Sequence, residues 1–192
     1  MLSTREAFAH DFIIPKRVDV IVITHDHPDH CDPNLIYRIL EKHPKATIVA
    51  HESIVGQFTN YTTVPAQTAA PTVIAGFTLE FFGGSHAPID ESVSVPPNFG
   101  VLIDHRLYYP GDSFVTPGVP IRELALPVSA PWLTMNDALG LLRSTRPEFA
   151  FPTHDGILSL DGKSIVDRLA GTVAGSQGTT YKRLDSASVT LA

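Results

Sequence analysis

Thr24-His25-Asp26-His27-Pro28-Asp29-His30 is the stretch on which the reading of this chain turns. It packs three imidazoles and two further carboxylates into one short loop just after an apolar run. Neutral imidazole and carboxylate are the protein groups that hold zinc, manganese or iron. His25 and His27, one residue apart, can turn to the same side of an extended loop, which leaves Asp29 and His30 for the other side. Four donors this close are hard to wrap round a single tetrahedral ion, so the loop suits two adjacent metals better than one. The competing reading is a solvated polar loop.

Working outward, Val18 to Thr24 reads as a strand. Its run Val20-Ile21-Val22-Ile23 is β-branched and hardly alternates, which predicts a strand covered on both faces. The polar cluster then sits at the strand's carboxyl end, where α/β proteins place their ligands. Asp32-Pro33 predicts a helix start, a cap followed by a first-turn proline, and Leu35, Ile36, Ile39 and Leu40 give that helix one apolar face before Pro44. A parallel strand over Ala46 to Ala50 completes a crossover unit. His51 follows it on the same sheet edge and is a candidate to line the substrate pocket or to protonate a leaving group.

Further along, Thr59 to Pro71 reads as surface loop, and Thr72 to Phe82 as strand broken at Gly76. That strand delivers Gly83-Gly84-Ser85-His86 to another strand end, so His86 is a candidate ligand by position. Phe99 to Asp104 and Leu107 to Pro110 predict a hairpin about His105-Arg106 that ends in Gly111-Asp112-Ser113. Asp112 reads either as a carboxylate within reach of a metal or as an ordinary turn aspartate, and local sequence leaves both open. Leu124 to Val128 predicts a buried strand, Thr134-Met135-Asn136-Asp137 a capping box opening a helix through Arg143, and Glu148 to Pro152 a short strand running into Thr153-His154. His154 is thus a third histidine immediately past a strand end. Ser159 to Ala174 predicts a helix turning Ile165, Val166 and Leu169 inward, and Tyr181 to Leu191 a terminal pair of strands. His43, at a helix end, and His105, in a turn, are read as surface residues.

With 192 residues, 43% of them hydrophobic and 18% charged, the chain is expected to form one domain over 1–192 with a sizeable core. A formal net charge of −6 with no basic stripe argues against nucleic acid as a partner. Cys31 is the only cysteine, so no internal disulfide forms, and no apolar run approaches a membrane span. The expectation is a cytoplasmic protein with a small-molecule substrate and no membrane partner.

Together these residues carry a family resemblance. The chain resembles the metallo-β-lactamase superfamily, and especially its branch of stand-alone metal-dependent hydrolases, similar to ascorbate-6-phosphate lactonase and to the phospholipase D acting on N-acyl phosphatidylethanolamines. The matching motifs occur in family order: Ile23 to His30, Gly84-Ser85-His86, Tyr109-Pro110-Gly111-Asp112-Ser113 and Pro152-Thr153-His154. Thr134-Met135-Asn136-Asp137-Ala138 and Asn98-Phe99-Gly100 resemble the same branch.

The resemblance implies a four-layer αβ/βα sandwich with mixed sheets. It implies that His25, His27 and His86 hold one metal, that Asp29, His30 and His154 hold a second, and that Asp112 bridges them. The cofactors would be two divalent ions, zinc foremost, with manganese or iron as alternatives. A hydroxide shared by the two ions would be the nucleophile, oriented by Asp29, cleaving an ester, lactone or phosphoester bond. A non-haem iron oxidoreductase, similar to the persulfide dioxygenases of the same superfamily, is the alternative activity, and a truncated non-catalytic metal-binding protein is the third reading. Only about twenty-four residues precede His25, fewer than the two or three opening strands the family leads us to expect. A homo-oligomer covering the exposed sheet edge is the expected consequence.

Overall fold

The computed structural model describes residues 2–3 and 13–184. Its first sheet is wholly parallel, in the order β1 (Leu2–Ser3), β2 (Val20–Val22), β3 (Thr47–Ala50) and β4 (Thr63–Pro65). The unbroken β-branched run about β2 has a physical reason. Ile21 and Ile23 point outward with Ile48 and Ala50, while Val20, Val22 and Val49 point inward toward the second sheet. Both faces are therefore covered, and the strand shows no polar alternation because neither side meets water.

On the outer face lies α1 (Pro33–Lys42), buried through Leu35, Ile36, Ile39 and Leu40. Asp32 caps it, its Oδ1 accepting from Asn34 N at 2.9 Å, and Pro33 occupies the first turn, where no N–H is missed. The short helix α2 (Glu52–Val55) and a 3-10 turn over Gly56–Phe58 add Ile54 and Phe58 to the same layer.

The second sheet has seven strands in the order β11-β10-β9-β8-β7-β6-β5: β5 (Thr72–Ile74), β6 (Phe77–Gly83), β7 (Phe99–Ile103), β8 (Leu107–Tyr109), β9 (Glu123–Pro127), β10 (Phe149–Thr153) and β11 (Thr180–Tyr181). From β5 to β8 the pairing is antiparallel, and from β8 to β11 it is parallel. The β7–β8 hairpin turns on Asp104 and His105, both with positive φ, and Asp104 Oδ1 accepts from Thr78 N at 2.8 Å. Leu79, Phe81, Val101, Ile103 and Tyr109 meet β2 and β3 across the sandwich, while Leu102, Tyr108, Leu124 and Leu126 face α3 (Met135–Thr145) and α4 (Leu160–Ser176). The order helix, sheet, sheet, helix is the expected four-layer sandwich.

Two local expectations need correction, one short helix was not read, and one expectation falls largely outside the described residues. The stretch Thr59 to Pro71, read as loop, contains β4. With a threonine, a single valine and a proline, that strand is too short for a periodic signal, and an edge position tolerates the proline. Helix α2 went unread for the same reason of length. Helix α4 packs through the single line Val166, Ala170 and Ala174, so Ile165, one position off that line, is 52% exposed and Leu169 is only half-buried. Of the terminal strand pair, Thr180–Tyr181 forms β11, and residues 185–191 lie outside the described residues.

Candidate metal centre

The loop after β2 is folded by its own backbone: His30 N and Cys31 N both donate to His27 O, at 2.9 and 2.7 Å. Phe99 N donates to Thr24 O at 3.0 Å, which ties the loop to the start of β7 in the other sheet. Three further arms arrive there separately. His86 leaves β6, its N–H donating to Pro96 O at 3.0 Å. Asp112 follows β8, its backbone N–H donating to Asn98 Oδ1 at 3.0 Å while Asn98 Nδ2 donates to Pro110 O at 3.0 Å. His154 follows β10 with φ +57°, a left-handed conformation uncommon outside glycine.

These arms gather the donors into two groups. His25, His27, His86 and Asp112 each offer a ligand atom within 4.8 Å of the others, and Asp29, His30 and His154 do the same. Asp112 lies between them. Its Oδ2 is 3.3 Å from His86 Nε2, 3.7 Å from His25 Nε2 and 3.3 Å from His154 Nε2, and its Oδ1 is 3.1 Å from His30 Nε2. Asp29 Oδ2 is 3.6 Å from His30 Nε2 and 3.4 Å from His154 Nε2.

Four of the five rings meet a partner on their far side. His86 Nδ1 donates to Ala87 O and His154 Nδ1 to Ser129 O, each at 2.5 Å, and His25 Nδ1 lies 3.1 Å from Thr24 Oγ1. Tyr109 Oη is 3.5 Å from His30 Nδ1. A carbonyl at Nδ1 puts the proton there and leaves the Nε2 lone pair facing the centre, as a metal-ligating histidine requires.

The donor set fits divalent ions by a further test. His25 Nε2, His86 Nε2, His154 Nε2 and Asp112 Oδ1 are buried without an aligned hydrogen-bond partner. Orphaned buried polar atoms are costly, and four of them gathered about Asp112 across the two groups are the pattern cations resolve. The charges agree. Burial, reinforced by His30, pushes His25 down to about 2, and burial with His86 lowers His27, so both stay neutral as ligands. Burial opposes ionisation of Asp112, yet the imidazoles of His154, His30 and His86 hold it well below the usual carboxylate range. Asp29 is likewise lowered, chiefly by His154 against the cost of burial. His154 is pushed up despite burial because Asp112 and Asp29 face it. A buried carboxylate and a half-buried one that together draw a proton onto an imidazole mark a place short of positive charge.

All seven residues singled out in the sequence for metal therefore meet here. His51 does not join either group: its Nδ1 accepts from Ser53 N at 3.2 Å and caps α2, and its ring lies 5.6 Å from that of Phe99. Sequence reasoning missed Trp132, whose Nε1 donates to Asp112 Oδ2 at 3.0 Å. Its signal was available, since it is the single tryptophan of the chain and stands between β9 and α3 at the sheet edge that carries the donors.

Fold and donor set define the class, a metal-dependent hydrolase of the metallo-β-lactamase fold. The chain belongs to the family described as the Beta-lactamase superfamily domain, which matches residues 12–154. Rv0786c of Mycobacterium tuberculosis is 32% identical over 164 residues, covering 82% of this chain and 76% of its own. Igni18, a metallo hydrolase from the archaeon Ignicoccus hospitalis, has a similar structure with a TM-score of 0.65 at 19% identity, over 88% of this chain and 77% of its own. CmlA, a diiron β-hydroxylase from Streptomyces venezuelae, gives a TM-score of 0.66 at 13% identity over 88% of this chain, and the match spans 44% of CmlA. Among the described residues no helix is long and apolar enough to cross a membrane.

Proposed function

We propose that the chain hydrolyses an ester, lactone or phosphoester bond of a small molecule at a dinuclear centre. His25, His27 and His86 would hold one divalent ion, zinc foremost, Asp29, His30 and His154 the second, and Asp112 both. The observation that carries this reading is the position of Asp112 within 3.1 to 3.7 Å of imidazoles from both groups. When bound, two such ions supply an activated water, the shared hydroxide, and stabilise negative charge on the reacting oxygen.

The chain's own residues do the rest. Asp29 stands 21% exposed at its side chain, against 3% for Asp112, so it is the carboxylate of the centre that water and substrate reach. Besides holding the second ion, Asp29 would orient the attacking water. The carbonyls of Ala87 and Ser129 keep His86 and His154 in the ligating tautomer throughout.

The test is metal content per chain on protein purified without a histidine tag, combined with cleavage of bis(p-nitrophenyl) phosphate, p-nitrophenyl acetate and dihydrocoumarin. Near two zinc or manganese ions per chain and metal-dependent cleavage support the proposal. Bound iron with oxygen consumption and no hydrolysis overturns it in favour of an oxidoreductase, the reading to which the structural likeness to CmlA lends weight.

A further inference from the structure

We propose that Trp132 is a positioning residue for the bridging carboxylate, its indole N–H fixing Asp112 Oδ2 between the two donor groups and thereby setting how tightly the pair of ions is held. The inference rests on the dinuclear reading above. Trp132 is 8% exposed in the connection between β9 and α3, and its Nε1 donates to Asp112 Oδ2 at 3.0 Å. An indole is a donor only, has no lone pair for a metal and does not titrate, so at this place it can act only through its neighbours.

Its neighbours are the ones that matter. The ring lies edge-on to His86 at 5.6 Å and to His154 at 5.8 Å, one histidine from each donor group, and Phe114 backs it at 5.3 Å. Asp112 Oδ2 is equidistant, at 3.3 Å, from the Nε2 atoms of those same two histidines. Neither Nε2 is aligned for a hydrogen bond, whereas the indole N–H is. Asn98 holds the backbone of Asp112, but it leaves the side-chain torsions free. Trp132 removes that freedom through a charge-assisted bond in a buried setting. A bridging ligand must satisfy two ions at once, so a carboxylate fixed beforehand binds them without an ordering cost, and loss of the fixing group weakens the bridge.

The experiment compares metal-free wild type with Trp132→Phe in a chelator competition for Zn2+, alongside the indole cross-peak of 15N-labelled protein. Because the chain has one tryptophan, that cross-peak is unambiguous. Wild type should bind two ions, Trp132→Phe should bind them roughly 10- to 100-fold more weakly, and the wild-type indole proton should sit downfield and shift as Zn2+ is added. Phe114→Leu, which loosens the packing of the ring and spares its hydrogen bond, should leave affinity near wild type. Two ions held equally tightly by wild type and Trp132→Phe would overturn the role of Trp132 and leave the dinuclear reading intact. No binding by wild type overturns both. Should Trp132→Phe fail to fold, the wild-type cross-peak decides alone: a resonance that does not move while two ions bind refutes the proposal.

Discussion

The two sources of donors at the centre are built on opposite principles. The loop from His25 to His30 supplies four donors from consecutive backbone, closed by its own hydrogen bonds to His27 O, and none of its residues has a positive φ. The other three donors, His86, Asp112 and His154, arrive singly from three strand ends of the second sheet. Two of these arms use left-handed backbone, φ +62° at Gly111, which glycine adopts freely, and φ +57° at His154, which is strained; they are held by contacts from distant positions, Asn98 on the backbone of Asp112 and the Ser129 carbonyl on the ring of His154. A contiguous motif gets its geometry from local covalent spacing, whereas a dispersed one needs the whole sandwich to bring it into register. Strain is tolerated where tertiary structure over-determines the conformation.

The sharpest way to break this contrast is at Asp112, where the two sources meet. Asp112→Ala should lower metal-dependent activity by at least about 10³-fold, beyond the 10- to 100-fold typical of outer-shell partners, with a parallel fall in bound metal by mass spectrometry. A variant that keeps both ions would mean that the contiguous loop suffices without the bridge. Next in size is Gly111→Ala. A methyl group there would run into Asn98 Oδ1 and come within 2.9 Å of Thr24 Cβ, at a φ of +62°. Left-handed strain and overpacking together should cost roughly 2–4 kcal/mol, read as a shift of the urea midpoint. Since Thr24 belongs to the loop and Asn98 to the second sheet, this one position stitches the two regions together.

Asn98→Ala tests the dispersed set alone. It leaves the buried Asp112 N–H unpaired, while Pro110 O keeps the Ser113 hydroxyl, and should cost about 1–3 kcal/mol in urea unfolding and weaken metal binding without touching the loop.

The same contrast explains what was legible in the sequence. The run Val20 to Ile23, the helix behind Asp32-Pro33 and the hairpin, read about His105-Arg106 and found to turn on Asp104 and His105, were readable because each is a local pattern with a local cause. Asp112 was not decidable by local sequence. It and Asp104 are both aspartates just past a strand of the second sheet, and Asp104 serves an ordinary turn, accepting from Thr78 N. What separates them is Asn98, fourteen positions upstream, and Trp132, twenty downstream, which no local window connects. Strand β4 and helix α2 were hidden for the plainer reason that three or four residues show no period, and exposed Ile165 because hydrophobicity does not say which stripe of α4 meets the sheet.

The smallest effect is expected at the outer support of the His154 arm. Asp167 on α4 accepts Arg183 Nε and Nη2, both at 2.8 Å, and Tyr181 Oη at 2.8 Å, while Arg183 also pairs with Asp155, the neighbour of His154. Burial opposes ionisation of Asp167, but Arg183 and Tyr181 outweigh it and lower its pKa. A carboxyl whose folded pKa is depressed adds stability in full above its ordinary value of 3.8 and loses it as pH falls through the lower folded value. Its side chain is 31% exposed, so solvent screening limits the contribution to about 0.5 kcal/mol. Asp167→Asn should therefore be slightly less stable than wild type at pH 7, and the gap measured by urea unfolding should close as the pH drops below 3.8. Metal affinity should change by less than about threefold, because the carbonyl of Ser129 already fixes the His154 ring. A larger loss of metal would show that the dispersed donors lean on the carboxyl-terminal strand as well, and that the support of this arm reaches further from the centre than its hydrogen bonds indicate.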